Sequence, residues 1–143
     1  MTEYVPSPSE RVAEQVALYE ATDGREGATM RGMPIVIVTH RGRQTGAIRK
    51  TPLMRVADGD DRYVIVASLG GAPNHPVWYY NLLAHPDVTL RDGAKVVEMR
   101  ARLVDEPAER ARLWALAVAA YPDYAAYQER TTRVIPVFSL EPR

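Results

Sequence analysis

The sequence predicts an α+β fold organised around a curled antiparallel sheet, and three observations carry that prediction. Lys95–Val104 alternates cleanly, with Val97, Met99, Ala101 and Leu103 on one face and Glu98, Arg100 and Arg102 on the other, the pattern of a half-buried antiparallel strand. Five further short strand-like runs are joined mostly by tight turns, with helical segments only at the start, middle and end, which argues against a doubly wound parallel sheet. Two of these runs contain proline, Pro52 and Pro136, and proline in a strand marks an edge or a bulge. Six short strands of this kind close readily into a small barrel.

The elements follow in order. Met1–Pro6 reads as a loose terminus. Ser7-Pro8-Ser9-Glu10 resembles a capping box with proline at the first helical position. Val12, Val16 and Tyr19 then recur at helical spacing, predicting an amphipathic helix over residues 8–21 that lies on the core. Residues 24–34 carry three glycines and one proline and read as a loop. Ile35–Thr39 is a β-branched run and a buried strand. The turn His40–Gly46 returns the chain through a second strand, Ile48–Val56. The turn Asp58-Gly59-Asp60-Asp61 leads into Tyr63–Ala67, so these three strands are expected to form a meander.

Ser68 and Gly70-Gly71 follow, where backbone can approach a ligand with no Cβ in the way. Asn74 and His75 are candidate caps for a short helix with Pro76 at its first position, carrying Trp78, Tyr79, Tyr80 and Asn81 and ending near Pro86. Val88–Arg91 pairs through Asp92-Gly93 with Lys95–Val104. Pro107 and Glu109 open a helix that keeps Leu113, Trp114, Ala117, Val118 and Tyr121 in phase, and Pro122 breaks or kinks it. Val134–Leu140 is the last strand.

The 143 residues suit one domain spanning 1–143, with 1–34 as an N-terminal helix and loop. With no cysteine there is no disulfide framework, thiol nucleophile or Cys-ligated zinc. No signal peptide or long apolar segment is visible, so a cytoplasmic protein is expected. Lys plus Arg balances Asp plus Glu at 18 each, unlike the basic excess of a nucleic-acid binder. The charge is uneven, however, because residues 27–57 hold six Lys/Arg and no Asp/Glu.

Within that stretch Arg41, Arg43, Arg49 and Lys50 flank a glycine turn. Arginine forks pair bidentately with phosphate or carboxylate, and turn amides can form an anion nest. A solvated basic hairpin would look the same. P-loop and dinucleotide-binding glycine motifs are absent. His40, His75 and His85 show no metal-binding spacing, so no metal is expected, and Ser68 lacks a nucleophile elbow. Tyr121, Tyr124 and Tyr127 recur every third residue, either as core or as the wall of a pocket.

Four segments, each weak alone and specific together, resemble the deazaflavin-dependent nitroreductases, split-barrel proteins that bind coenzyme F420. They are T-H-R-G-R-Q-T-G, R-K-T-P-L, V-A-S-L-G-G-A-P-N-H-P-V-W-Y-Y-N-L-L-A-H-P, and Y-P-D-Y-A-A-Y-Q ending in I-P-V, and the similarity runs from about Val36 to the C-terminus. The resemblance implies an antiparallel split β-barrel of six to seven strands with flanking helices. It implies that Arg43, Gln44 and Thr45 meet the cofactor's phosphate and polyglutamate tail. Arg49, Lys50, Thr51, Pro52, Leu53 and Met54 would run along its linker. Val66, Ala67, Ser68 and Leu69 would lie beneath the deazaflavin ring, and Val77, Trp78, Tyr79, Tyr80 and Asn81 beside tail and ring. Tyr124 would cover the ring, with Tyr121 and Tyr127 on the substrate side.

Two positions depart from the family pattern. Gln44 replaces a frequent lysine, so tail binding rests more on Arg43 and Arg49, and Leu69 replaces a lysine, making the acceptor side more apolar. The implied activity is hydride transfer from reduced F420 to an electron-poor acceptor such as a quinone, nitro compound or unsaturated carbonyl, with Ser68 and Tyr124 as catalytic hydrogen-bonding groups. An FMN reductase of the same fold and a non-catalytic F420-binding protein are the alternatives. A homodimer and a loose contact with the inner face of the cell membrane both stay open.

Overall fold

A computed structural model describes residues 3–143. The first helix, α1 (Glu10–Ala21), begins two residues later than the sequence suggests. Ser9 is its cap and accepts from the Val12 amide, whereas Ser7 accepts from Ser9 N. Pro8 therefore precedes the cap. Val16 and Tyr19 are buried, and Tyr19 Oη accepts from the Gly93 amide at 2.6 Å, tying the helix to the end of the sheet.

The strands are β1 (Thr29–Met30), β2 (Met33–Arg41), β3 (Ile48–Met54), β4 (Ala57–Asp58), β5 (Arg62–Val66), β6 (Asp87–Asp92), β7 (Lys95–Leu103) and β8 (Val137–Pro142). Six are long, as expected, and β1 and β4 add two residues each. Every pairing between them is antiparallel, in the order β3-β2-β6-β7-β8-β5-β4, with β1 on the start of β2. The sheet curls into a split barrel with a seam between β3 and β5. The two approach where Val64 N donates to Val56 O at 2.9 Å, and no strand pairing joins them beyond that point.

This seam corrects the expected meander. The hairpin Asp58–Asp61 forms, but it joins β4 to β5, and the chain leaves β3 before reaching it. β5 pairs instead with β8. Pro52 does lie on an edge: among the named strands β3 pairs with β2 alone. The start of β3 is covered, because Ile48 bridges Tyr4 and bonds to Glu3 and Val5, so residues 3–5 are tied to the sheet and not the loose terminus expected. Pro136 does not: it stands just before β8, a central strand held by both β5 and β7, and its carbonyl accepts from Ala67 N.

Both faces of β2 are buried, Ile35 and Ile37 in one core and Val36 and Val38 in the other. The second core fills the barrel with Ile65, Leu90, Met99, Phe138 and Leu140. Helices α3 (Pro107–Ala120) and α4 (Asp123–Glu129) cover the first core, and Pro122 separates them completely. Helix α2 (Val77–Ala84) closes the second core with Trp78 and Leu82. Pro76 is the N-cap of α2; neither Asn74 nor His75 caps it.

Candidate functional site

The seam opens into a groove with three sections. Its inner section is a chamber of about 310 Å³ between β3 and the end of β5, lined by Thr51–Met54 on one side and Val66, Ser68 and Leu69 on the other. Tyr121, Tyr124 and Tyr127 roof it, and Trp78 and Pro76 close it toward α2. Thr51, Pro52, Leu69, Pro76 and Trp78 also border a middle section of about 390 Å³, which reaches Arg49, His75, Val77 and Asn81. Arg49, Val77 and Asn81 in turn border an outer section of about 270 Å³ at the basic turn, with Arg43, Gln44 and Thr45.

The three tyrosines converge because Pro122 breaks the helix between the first and second. Their rings meet edge to face, Tyr121 on Tyr124 at 5.0 Å and Tyr124 on Tyr127 at 6.2 Å. Such pairs contribute about 0.5–1.5 kcal/mol beyond their burial. The hydroxyls divide the labour. Tyr121 and Tyr127 bond to each other at 2.7 Å, while Tyr124 Oη has no hydrogen-bond partner among the described residues although Tyr124 is only 4% exposed. Burial, then the neighbouring phenols, pushes the Tyr124 hydroxyl well above its usual pKa, so it stays a protonated donor at neutral pH. The Ser68 hydroxyl is likewise without a partner in a residue only 8% exposed. The chamber is thus apolar with two uncommitted hydroxyls.

The loop after β5 is shaped by Gly71. At φ +81°, a Cβ there would lie 2.5 Å from the Tyr127 carbonyl oxygen. The backbone that approaches this glycine is therefore α4 and not a ligand, correcting the sequence expectation. Gly70, also at positive φ, has open space around it. Arg133 holds the loop: its guanidinium donates to the carbonyls of Ala67 (3.1 Å), Ser68 (2.6 Å) and Ala72 (2.8 Å) and to His75 Nδ1 (2.9 Å).

A buried relay connects chamber and basic turn. Asn81 Oδ1 accepts from Arg43 N at 3.0 Å. Its amide then donates to His40 Nδ1 at 3.3 Å, which leaves His40 Nε2–H to donate to Thr51 Oγ1 at 2.9 Å. Burial, helped by the charge of Arg49, lowers the His40 pKa to about 4, so the ring stays neutral as the relay requires.

At the outer end the Arg43 guanidinium lies over the Tyr80 ring at 5.0 Å. Arg49 makes no ion pair or hydrogen bond through its guanidinium among the described residues, and it lines both the middle and the outer section. Not every residue implied by the resemblance converges. Lys50 does border the middle section, with its ammonium paired to Glu20 at 2.7 Å, but two others lie outside the groove. Ala67 is fully buried in the barrel core, and Tyr79 packs on His75 and Phe138. Sequence reasoning missed Arg133, the structural role of His40, and Met30 and Arg31, which border the chamber from the β1–β2 turn. Arg31 has φ 51° and precedes Gly32 at φ 75°. The Arg31-Gly32 pair between Met30 and Met33 was the available signal for a tight turn.

Among the described residues no helix is long and apolar enough to cross a membrane, and no cluster of His, Asp or Glu suits a metal ion.

Comparison with known proteins places these features in context. Residues 11–142 match the model of the family described as F420H(2)-dependent quinone reductase. A protein of that name from Mycobacterium tuberculosis is 41% identical over 130 residues, covering 89% of this chain and 87% of the relative. A solved F420-H2 dependent reductase shares 49% identity over 76% of this chain and 94% of its own, with a TM-score of 0.70. A structure described as a domain-swapped dimer shares 43% identity over 94% of this chain and all of its own, with a TM-score of 0.73.

Proposed function

The chain belongs to the family of F420H(2)-dependent quinone reductases, and from that premise we propose that the seam groove is where it binds F420 and reduces a quinone. The observation that carries the proposal is the gradient along one continuous groove, from an apolar chamber with two uncommitted hydroxyls to a cationic end with an uncommitted arginine. A flat ring fits the first and an anionic tail the second, so the residues present suit the cofactor. Reduced F420, when bound, supplies the hydride.

The chain's own residues do the rest. Arg49, Arg43 and the amides of the Gln44-Thr45 turn hold the tail by charge-assisted hydrogen bonds. Thr51 to Met54 of β3 flank the middle of the ligand and Val66, Ser68 and Leu69 support the ring. Tyr121, Trp78 and Pro76 exclude water. Ser68 Oγ and Tyr124 Oη, both without a protein partner, would donate to the oxygen on which negative charge develops as the acceptor is reduced; a hydrogen bond of this type contributes a few kcal/mol. Lys50 borders the middle section while paired with Glu20, and Ala67 and Tyr79 support the groove from behind.

Two further readings belong to this proposal. A homodimer is supported by the dimeric structural relative. A loose contact of an otherwise cytoplasmic protein with the inner membrane face is supported by Leu69 and Val77, 54% and 76% exposed beside the groove mouth.

The test is calorimetric titration with F420 and with FMN, followed by oxidation of reduced F420 by a quinone. Tight F420 binding with quinone-dependent turnover is expected. FMN binding without F420 binding identifies an FMN reductase, and F420 binding without turnover on any acceptor identifies a carrier.

A further inference from the structure

Arg133 does more than hold a loop. Its side chain is part-buried, and all of its hydrogen bonds go to the segment 67–75, none to a carboxylate. One of those bonds has a chemical consequence. A guanidinium only donates, so His75 Nδ1 must accept, and the ring must carry its proton on Nε2. Burial and the charge of Arg133 both lower the His75 pKa, in keeping with a neutral ring. The ring plane is set as well, because His75 lies on Tyr79 with centroids 4.3 Å apart and meets Tyr80 at 6.1 Å.

What remains is Nε2–H. It has no hydrogen-bond partner among the described residues, and it is not a buried orphan. His75 lines the middle section of the groove, as do Arg49, Pro76 and Trp78. A donor whose tautomer and plane are both fixed, left without a protein partner beside a ligand groove, is available to a ligand at little ordering cost. We propose that His75 is a ligand-binding residue of this middle section, donating from Nε2–H to an oxygen of the ligand segment between ring and charged tail, and that Arg133 is the positioning residue that fixes its tautomer.

The arrangement separates His75 from the other two histidines. His40 has both ring nitrogens committed within the protein, and His85 follows α2 away from the chamber. The choice of F420 as ligand rests on the function proposed above. The tautomer does not.

The experiment has two arms. In the first, a long-range ¹H–¹⁵N spectrum of the full chain near neutral pH reads the tautomer of each histidine. His75 is expected as Nε2–H in the wild type and as a mixture in Arg133→Met. A wild-type Nδ1–H tautomer overturns the proposal outright. In the second, F420 affinity is measured by fluorescence for the wild type, His75→Phe and His75→Gln, with thermal melts run alongside. His75→Phe keeps a flat ring and loses the donor, and its affinity is expected to fall roughly tenfold, while His75→Gln retains a donor and recovers most of the loss. F420 should also move the His75 Nε2 resonance. Equal affinity in all three proteins with that resonance unmoved overturns the role of His75 alone. Absence of F420 binding to the wild type overturns the cofactor reading itself, together with the ligand named here.

Discussion

The two ends of the groove are built in opposite ways. The outer end is local: Arg43, Gln44, Thr45 and Arg49 come from one hairpin, β2–β3, with only α2 brought in from elsewhere. The inner chamber is assembled from the β1–β2 turn, β3, the end of β5, α2 and the α3–α4 junction, segments as far apart as Met30 and Tyr127. The outer end is cationic and holds charge in water, where it is screened. The chamber is apolar and its few polar groups act in a low dielectric, where each counts for more. Affinity is expected to rest on the first and chemistry on the second.

The largest effect expected to break this division is Gly71→Ala. The positive φ and the 2.5 Å approach to the Tyr127 carbonyl together suggest a loss of about 2–4 kcal/mol in stability, from backbone strain and overpacking combined. Because α4 must move, quinone turnover should fall further than affinity for a phosphorylated tail fragment. Gly70→Ala serves as the control, as its Cβ meets nothing. A denaturant melt showing equal stability for the two variants contradicts the role given to Gly71.

Acid should disturb both ends at once, because His40 sits in the relay between them. Its folded pKa, about 4, lies below the unfolded value near 6.5. The native state therefore binds fewer protons, and the stability contributed by neutral His40 is complete above pH ~6.5 and lost as pH falls toward 4. The full window corresponds to about 3 kcal/mol. Melting temperatures of the wild type and His40→Gln, measured across that range, should converge toward its acid end.

Arg49→Ala tests the outer end alone. Loss of a hydrogen bond to a charged group costs about 1.5–3 kcal/mol, and F420 affinity should fall accordingly. A ring fragment without phosphate or glutamate should bind both proteins equally. Equal losses for both ligands would make the arginine structural.

Tyr124→Phe sharpens the comparison at the smallest scale. It removes one uncommitted donor and keeps the ring, so F420 affinity should barely change while turnover drops by about tenfold, equivalent to ~1.4 kcal/mol. Tyr124→Ala should loosen the cofactor too. Full turnover by Tyr124→Phe on every acceptor tried would leave Tyr124 as a wall.

Legibility in the sequence follows the same division. The basic hairpin, the strand alternation from Lys95 and the break at Pro122 are statements about neighbours in the chain. The structure bears them out except at Leu103, which ends the strand 37% exposed while Met99 and Ala101 are buried. Strand order is not a local property, and the expectation that β5 would follow β3 in the sheet failed for that reason: β8, 71 residues later in the register Val66–Val137, takes the place. The residues alone marked Ser68 beside a glycine pair and Tyr124 within a tyrosine stripe, but their role as hydrogen-bonding groups came only through a family resemblance. That their hydroxyls lack partners while those of Tyr121 and Tyr127 do not is visible only once the rings have met. Arg133 was invisible because one more arginine in a balanced composition carries no signal until its four acceptors are in place.

The unclosed seam also sets a limit on how sturdy this protein can become. β3 and β5 leave pairing capacity unused where the chamber lies, and Pro52 deprives the edge of one amide that a foreign strand could exploit. A sequence selected only for heat resistance would gain by knitting those two strands together, and each added rung would take space from the ligand. Endurance and turnover therefore draw on the same short length of backbone, and improving one by that route subtracts from the other.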